Sequence, residues 1–424
     1  MYKIQKVTIE GLWKEKNVSI NLNEDVNFFI GPNGTGKTTI IHLIASVIKM
    51  NIQSLFKQQF QSIKIDLIGH YKRLYILVEK YEDTASPYLT YTIKKNTSKP
   101  KKYEFFFRDR YDRTRRPDIR DSYAPTYYAE VKREIDSLLK FSWISVNRIS
   151  LLNDSNYRDN PTINTVLNQL KNDLKGYFSL LTNKCNDETD KFQKFVFRSL
   201  LDVVGMNKQL EIINGMIADS GAEINKLKDI FKLFSMLDQN LSDTIDDFYT
   251  KIHKSAHKIN SKQPVTLIDF SYLVNGVRIQ TIISEWNSVS SKQQAINSRK
   301  NVFLEIIENM FQHKKLMVNE SNELQVVADD GTTFPIEFLS SGEKQLLIIL
   351  GNALLHNQDE MLVYLADEPE LSLHIEWQEK LVMSLRRLTP NAQIIFATHS
   401  PDIVGPFHDK TINFDKIIYG ERIY

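Results

Sequence analysis

Apolar and polar positions near the start of the chain follow the spacing of β-strands. Three apolar runs precede Gly31, at residues 4–9, 18–22 and 26–30. The third run is continuous, which predicts a strand buried on both faces, as in a parallel sheet. Residues 38–47 then show the spacing of a helix. Further strands are predicted at 63–67, 74–78, 88–93 and 103–107.

The middle of the chain, about 161–262, contains little glycine or proline, and its apolar residues recur every three or four positions. The clearest series is Ile224, Leu227, Phe231, Phe234, Leu237, Leu241, Ile245, Phe248 and Ile252. This spacing predicts a long helix packed on a partner helix, as in a short coiled coil. A compact helical subdomain fits the pattern equally well. Past Pro264 the pattern returns to mixed α/β, with a β-hairpin predicted around 320–322.

We therefore predict an α/β fold assembled from both chain ends and interrupted by a mainly helical insertion. The predicted parts are residues 1–160, 161–262 and 263–424. With 424 residues, 42% hydrophobic and 25% charged, the chain is typical of a globular protein. A formal net charge of +2 gives no global argument for nucleic acid or membrane as a partner.

Targeting and redox signals are weak in this sequence. The single cysteine, Cys185, excludes a disulfide framework and suits a reducing compartment. Charges interrupt the N-terminal residues where a signal peptide needs an apolar core. The most apolar stretch, 346–355, is too short to span a bilayer. We expect a cytoplasmic protein with no membrane partner.

A glycine-rich segment follows the buried strand at 26–30 and precedes a helix. It matches the phosphate-binding loop pattern G-x-x-x-x-G-K-[ST], whose backbone N–H groups surround phosphates. Lys37 would contact the β- and γ-phosphates of ATP, and the Thr38 hydroxyl would hold Mg²⁺. A glycine-rich turn without a ligand is the alternative. The predicted ATP-binding residues here are Gly31, Pro32, Asn33, Gly34, Thr35, Gly36, Lys37, Thr38 and Thr39.

Two carboxylates, Asp367 and Glu368, follow a second buried apolar run at 361–366. The ends of parallel strands are where such folds place catalytic groups. Asp367 is suited to hold Mg²⁺, and Glu368 could orient or deprotonate the attacking water. In isolation the pair would be interpreted as a solvated turn.

Two further segments complete the candidate chemistry. Ser340, Ser341, Gly342 and Glu343 open a helix, and helix capping alone explains them when they are taken in isolation. The functional interpretation is that Ser340 and the Gly342 amide donate to a γ-phosphate bound by another subunit. His399 ends a buried run at 393–398 and is a candidate contact for the attacking water. A histidine there on its own would be structural.

Together the four segments resemble the ABC ATPase family in order and type. The resemblance implies that 31–38 is the Walker A motif, 340–345 the signature, 367–368 Walker B, His399 the switch histidine and 370–374 the D-loop. It also implies a head-to-tail dimer or a higher homo-oligomer. Ser341 replaces the glycine of the commonest signature. For the Q-loop, Gln59, Gln61 and 145–148 are candidates, and Trp13 is a candidate adenine contact or core residue.

Most of the chain separates Lys37 from Ser340, unlike the spacing in transporter subunits. Such an insertion resembles chromosome-maintenance and recombination-repair ATPases. Segments 338–345, 367–370 and 398–401 are similar to the overcoming-lysogenization-defect-like ATPases, a group that includes the ATPase halves of bacterial antiphage systems. In fused members a Toprim nuclease follows the head. This chain ends soon after His399, so we expect any nuclease to act from another chain.

The resemblance implies an ATPase that senses, scaffolds and controls a separate effector, a nuclease, in antiphage defence. One alternative is a DNA-repair or recombination ATPase that clamps DNA directly. Another is a regulatory scaffold with little hydrolysis. Lys94 to Arg120 is rich in basic and aromatic residues. That segment is either a contact for nucleic acid or for an acidic protein, or a solvated hairpin with its aromatic residues in the core.

Overall fold

The computed structural model describes residues 2–69, 72–82, 87–95, 99–106, 119–145, 163–201, 220–233, 235–357 and 360–419. The chain divides into two compact units. The first comprises Met1–Gly176 and Arg299–Tyr424, and the second comprises Tyr177–Ser298. The first unit is α/β and uses both chain ends, while the second is helical, so the predicted fold class is confirmed.

The described strands lie in the first unit. They are β1 (Lys3–Leu12), β2 (Lys16–Asn21), β3 (Val26–Ile30), β4 (Ser62–Gly69), β5 (Lys72–Tyr81), β6 (Tyr88–Lys95), β7 (Lys101–Phe106), β8 (Lys140–Ser145), β9 (Lys314–Val318), β10 (Leu324–Ala328), β11 (Thr333–Pro335), β12 (Leu362–Asp367), β13 (Gln393–Ala397) and β14 (Thr411–Asn413).

The described helices are α1 (Lys37–Lys49), α2 (Ile52–Lys57), α3 (Ile119–Leu138), α4 (Ile163–Ser199), α5 (Ser220–Leu233), α6 (Gln239–Asn260), α7 (Leu267–Glu308), α8 (Ser341–Leu355), α9 (Ile375–Leu388), α10 (Pro401–Val404) and α11 (Phe414–Tyr419). Short 3₁₀ turns cover Ile336–Phe338 and His408–Lys410.

A parallel sheet carries the candidate site, with the strand order β14-β3-β13-β12-β8. Strands β3, β12 and β13 are buried along almost their whole length, as their continuous apolar runs predict. Because parallel strands end at the same edge, the segments that follow β3, β12 and β13 are neighbours. Three of the four predicted motifs therefore lie together at one edge of this sheet.

Two antiparallel sheets complete the first unit. One has the order β2-β1-β4-β5-β6-β7, and its alternating burial places Ile63, Ile65 and Leu67 in the core. The other has the order β11-β10-β9. Its β9–β10 hairpin turns at Asn322, which has φ +61°, so the predicted hairpin is confirmed. Gln393 joins β13 to β1: its buried amide accepts from the Ile4 N–H and donates to the Ile4 carbonyl, both at 2.8 Å.

In the helical unit, the single long helix predicted over 224–252 is wrong. The apolar series is shared by α5 and α6, which are separated by a turn in which Ser235 has φ +55° and Asp238 caps α6. Leu227 of α5 packs in one cluster with Ile245 of α6. Leu237, in the turn, continues the apolar spacing. The periodicity alone therefore does not show where α5 ends and α6 begins.

The helical region also extends further along the chain than predicted. Residues beyond 262 form the 42-residue helix α7, and the second compact unit ends at Ser298. Apolar residues of α7 do not follow one continuous face. The helical period is therefore weak in this segment, and the mixed α/β pattern expected after Pro264 begins only with β9.

One buried cation leads to a testable prediction about stability. The Lys49 ammonium lies 5.5 Å and 5.7 Å from the ring centroids of Phe141 and Trp143, and among the described residues it has no hydrogen-bond partner. Burial, assisted by the charge of Lys132, lowers the pKa of Lys49 from 10.5 to about 8. The folded chain therefore binds this proton less tightly than the unfolded chain does, and the charge lowers stability at neutral pH.

Replacing Lys49 with methionine should stabilise the fold by about 2 kcal/mol at pH 7, after allowance for the lost cation–π contacts. The advantage is full below about pH 8 and should shrink as pH rises toward 10.5, because the wild-type lysine then loses its charge. Urea unfolding at pH 7 and pH 9.5 measures it, with exposed Lys57→Met as the matched control. A stabilisation that is independent of pH would contradict this account.

Candidate ATPase site

The loop between β3 and α1 adopts a conformation that depends on glycine. Gly31, Gly34 and Gly36 have φ values of +143°, +83° and +87°, which side chains with a Cβ rarely adopt. Helix α1 begins directly afterwards, at Lys37. Successive N–H groups in such a loop, together with a helix N-terminus, form an anion-binding concavity. In this loop Pro32 and Asn33 are exposed and Thr35 is buried, while Thr39, in the first turn of α1, is half-buried.

Lys37 is only 5% exposed, and its ammonium donates to the carbonyls of Gly31 and Pro32 at 2.8 Å and 3.0 Å. Burial lowers the pKa of Lys37, while the negative charges of Glu368 and Asp367 act in the opposite direction. The two carboxylates are thus close enough to influence the lysine. The cation is held at the loop by carbonyl oxygens, a suitable position for contacting phosphate.

The Walker A and Walker B segments meet through a direct hydrogen bond. The Thr38 hydroxyl donates to Oδ1 of Asp367 at 3.0 Å. His42 Nε2 lies 3.5 Å from Oδ2 of the same carboxylate, and the His42 ring packs edge-on against Trp143, with centroids 5.1 Å apart. Sequence reasoning missed His42 and Trp143. The available signal was that His42 follows Thr38 by one helical turn and therefore shares its face.

Glu368 occupies a left-handed backbone conformation, with φ +49°, immediately after β12. Its N–H donates to the Ala397 carbonyl at the end of β13, at 2.8 Å. A non-glycine residue in this region carries backbone strain, which persists only where surrounding contacts fix it and is common at functional sites. The chain therefore turns sharply after Asp367.

His399 is exposed and lies two residues beyond the end of β13. It lines a cleft of about 370 Å³ together with Gly31 of the P-loop. The remaining lining residues are Ile30, Thr398, Ser400, Pro401, Val404, His408 and Thr411. The structure thus brings the predicted switch histidine next to the start of the phosphate-binding loop.

The signature residues open helix α8. Ser340 caps the helix and forms a reciprocal capping box with Glu343, whose carboxylate also pairs with Lys314 at 2.8 Å. Ser341, like Ser340, is exposed. Gly342 is buried, and a Cβ there would lie 2.4 Å from the Ser372 carbonyl oxygen, so only glycine fits. Helix capping thus accounts for Ser340 and Glu343. The packing of Gly342 against Ser372 joins the signature to the 370–374 segment.

Some of the weaker candidates can also be placed. A Cβ added to Gly36 would lie 2.4 Å from Cη2 of Trp13, so the Trp13 ring lies against the phosphate-binding loop. The side chain of Gln61 lies similarly close to Gly11, and the Gln59 carbonyl accepts from the Trp13 N–H. Ser145 is the register partner of Asp367, but residues 146–148 lie outside the described residues.

The basic segment 94–120 is described only in part, because residues 96–98 and 107–118 lie outside the described ranges. Lys95 and Lys101 both pair with Glu134, at 2.7 Å and 3.7 Å. Phe105 is buried, and the Tyr103 hydroxyl donates to Glu130 at 3.0 Å. These contacts favour the structural interpretation for the described part of the segment.

The donor set agrees with Mg²⁺ held jointly by protein and phosphates. Within the described ranges, no group of three or more His, Cys, Asp or Glu side chains could hold a metal by itself. Thr38 and Asp367 supply two adjacent oxygens, and Mg²⁺ in phosphate-binding sites typically takes few protein ligands beside the phosphates.

Among the described helices, none combines the length and the apolar character needed to cross a membrane.

Residues 2–404 match the family model described as AAA ATPase domain. The chain belongs to this family. The match confirms the predicted ATPase domain. The presence of a signature segment between the two Walker motifs remains the basis of the resemblance to ABC-type ATPases.

Two curated proteins share parts of the sequence. The Retron Vc95 probable ATPase of Vibrio cholerae serotype O1 biovar El Tor is 26% identical over 178 residues, 36% of this chain and 34% of that protein. The Septu protein PtuA of Bacillus thuringiensis is 35% identical over 80 residues, 16% of this chain and 20% of that protein. The matched regions thus span about a third or less of these relatives.

Among solved structures, an Smc head domain from Pyrococcus furiosus with an extended coiled coil, bound to the C-terminal domain of ScpA, has a TM-score of 0.41 at 13% identity. The alignment covers 95% of this chain and 91% of that one. An Smc head domain from Pyrococcus yayanosii with a coiled coil and joint has a TM-score of 0.40 at 14% identity, covering 95% and 93% of the two chains.

Proposed function

We propose that this chain binds ATP with Mg²⁺ and hydrolyses it. The observation that carries the proposal is the 3.0 Å hydrogen bond from Thr38 to Asp367, which joins the phosphate-binding loop to the Walker B strand end. Bound Mg²⁺ would neutralise charge on the phosphates. The Thr38 hydroxyl and Asp367 would hold it there.

Each remaining residue has a role suited to its position. The N–H groups of 31–38 surround the phosphates, and Lys37 exchanges two loop carbonyls for phosphate oxygens. Glu368, directly after the proposed metal ligand, orients or deprotonates the attacking water. His399, beside Gly31, contacts that water or the γ-phosphate.

The signature suggests that two copies complete each site. Ser340 and Ser341 are exposed at the start of α8, where hydroxyl and N–H groups can reach a ligand on another molecule. In the proposed head-to-tail dimer, Ser340 and the Gly342 amide donate to the γ-phosphate bound at the P-loop of the partner. Hydrolysis removes this contact, and the population shifts to the open form.

The biological role that we propose is antiphage defence, in which this ATPase acts as sensor and scaffold for a separate effector, a nuclease. Support comes from segments similar to overcoming-lysogenization-defect-like ATPases and from partial identity to a retron ATPase and a Septu protein. A direct DNA clamp has less support from the described part of the 94–120 segment, where Lys95 and Lys101 pair with Glu134 within the chain.

Phage challenge tests this role. Cells carrying the gene with its native neighbours should form far fewer plaques than cells with an empty vector. Lys37→Ala, or deletion of the neighbouring gene, should abolish protection, because nucleotide binding and the effector are both required. Lys57→Ala, an exposed lysine of α2, is the matched control and should protect fully. Protection that persists without any neighbouring gene would contradict a separate effector.

A further inference from the structure

A single carboxylate holds the segment that carries the switch histidine. Oε1 of Glu370 accepts three hydrogen bonds from consecutive residues: the Thr398 hydroxyl at 2.7 Å, the His399 N–H at 2.9 Å and the Ser400 N–H at 3.3 Å. The Thr398 hydroxyl also accepts from the Ser400 N–H at 2.9 Å. Bonds to an ionised acceptor are stronger than bonds between neutral groups.

These hydrogen bonds are relevant to His399 because they lie just beyond the end of β13. Strand β13 ends at Ala397, and the Thr398 N–H still donates to the Phe29 carbonyl of β3 at 3.2 Å, so His399 and Ser400 are the residues beyond the sheet ladder. Their N–H groups need other acceptors, and Glu370 supplies one from a turn 29 residues earlier in the chain. The backbone position of His399 therefore depends on the position of the Glu370 side chain.

The same turn is also tied to the signature helix. Gln345 of α8 donates to the Pro369 carbonyl at 3.2 Å, and Gly342 packs against the Ser372 carbonyl. Gln378 of α9 donates to the Leu373 carbonyl of the same turn at 2.9 Å. The 369–373 turn thus contacts the signature helix through Pro369 and Ser372, and the His399 segment through Glu370.

We propose that Glu370, in a turn that also contacts α8, is a positioning residue for His399. The proposal rests on the proposed ATP hydrolysis. The resemblance to ABC ATPases identifies Glu370 only as part of the D-loop segment, 370–374. Its carboxylate instead acts within the chain, through the backbone N–H of His399.

Kinetics of Glu370 variants provide the first test. Glu370→Ala should lower kcat by about 10- to 100-fold, the range expected when a reacting group is misplaced by about 1 Å, with little change in KM for ATP. Glu370→Gln retains an acceptor oxygen at the same reach but loses the charge, so its kcat should be intermediate. Asp402→Ala, which removes a nearby carboxylate, should leave kcat unchanged.

A double-mutant cycle with His399→Ala separates positioning from general support of the fold. In the His399→Ala background, Glu370→Ala should lower kcat by less than about twofold, because the residue that it positions is absent. Full additivity of the two effects would overturn the proposal. If Glu370→Ala does not fold, Thr398→Val, which removes one of the three donors, should show the same dependence on His399.

Failure of the wider function is distinguishable from failure of this role. Absence of ATP turnover by the wild-type chain would overturn the proposed hydrolysis and, with it, the role of Glu370. If the wild-type chain turns over ATP but the effects of Glu370→Ala and His399→Ala on kcat are additive, only the role of Glu370 is overturned. The same holds if Glu370→Ala changes only KM.

Discussion

Glu368→Gln should lower ATP turnover by about 10³-fold while leaving ATP affinity nearly unchanged, because a general base contributes about 10²–10⁴-fold to rate and little to ground-state binding. Glutamine has the same length as glutamate and is no more strained at φ +49°. The Glu368 N–H can still donate to the Ala397 carbonyl. The Thr38–Asp367 hydrogen bond does not involve the substituted group.

Phosphate release measures the turnover, and a fluorescent ATP analogue measures the affinity. Glu379→Gln, the same change at an exposed position of α9, is the matched control and should retain wild-type turnover. Lys37→Ala should show the opposite pattern, with loss of binding itself, because the cation that contacts the phosphates is removed. Near wild-type turnover by Glu368→Gln would exclude Glu368 as the base and would favour another acceptor.

The arrangement of the site was predictable where sheet geometry alone determines it. Gly31, Asp367 and His399 each follow a continuously apolar run. Parallel strands that are buried on both faces end at a common edge, so these residues had to be neighbours once the strands were adjacent. The hydrogen bond from Thr38 to Asp367 and the cleft shared by Gly31 and His399 are consequences of this geometry.

Contacts made by side chains between distant segments were not predictable in the same way. Nothing in the local pattern around Glu370 indicates that its carboxylate accepts from residues 398–400, because that contact depends on the path of the turn after β12. Similarly, the break between α5 and α6 depends on the backbone of Ser235 and the cap at Asp238. Apolar spacing carries little information about either feature.

The signature segment illustrates how one set of residues satisfies local and functional requirements together. Ser340 and Glu343 form a capping box, which accounts for their spacing without any ligand. The cap, however, does not explain why Gly342 is packed against the Ser372 carbonyl. This packing links the exposed serines to the 369–373 turn. A second copy that contacts Ser340 would therefore act on a segment already joined to the ATP site.

Mixing two inactive variants should restore turnover if each ATP site is built from two copies. Lys37→Ala chains lose the P-loop function, and Ser340→Arg chains lose the signature function. A mixed dimer combines the intact P-loop of one chain with the intact signature of the other, so one of its two sites is complete. With random pairing at equal amounts, about a quarter of wild-type turnover should return.

The matched control is a mixture of Lys37→Ala with Glu368→Gln chains. Both residues belong to the same half of the site, so every site in that mixed dimer lacks one of them and turnover should stay at background. Ser340→Arg removes a helix cap at a cost of about 1 kcal/mol, and its thermal midpoint should show that the chain still folds. Dimerisation is verified by native mass spectrometry with ATP present. If mixed dimers form and the Lys37→Ala and Ser340→Arg pair remains inactive, Lys37 and Ser340 serve a site within a single chain. Turnover by Ser340→Arg chains on their own would show that Ser340 is only a cap.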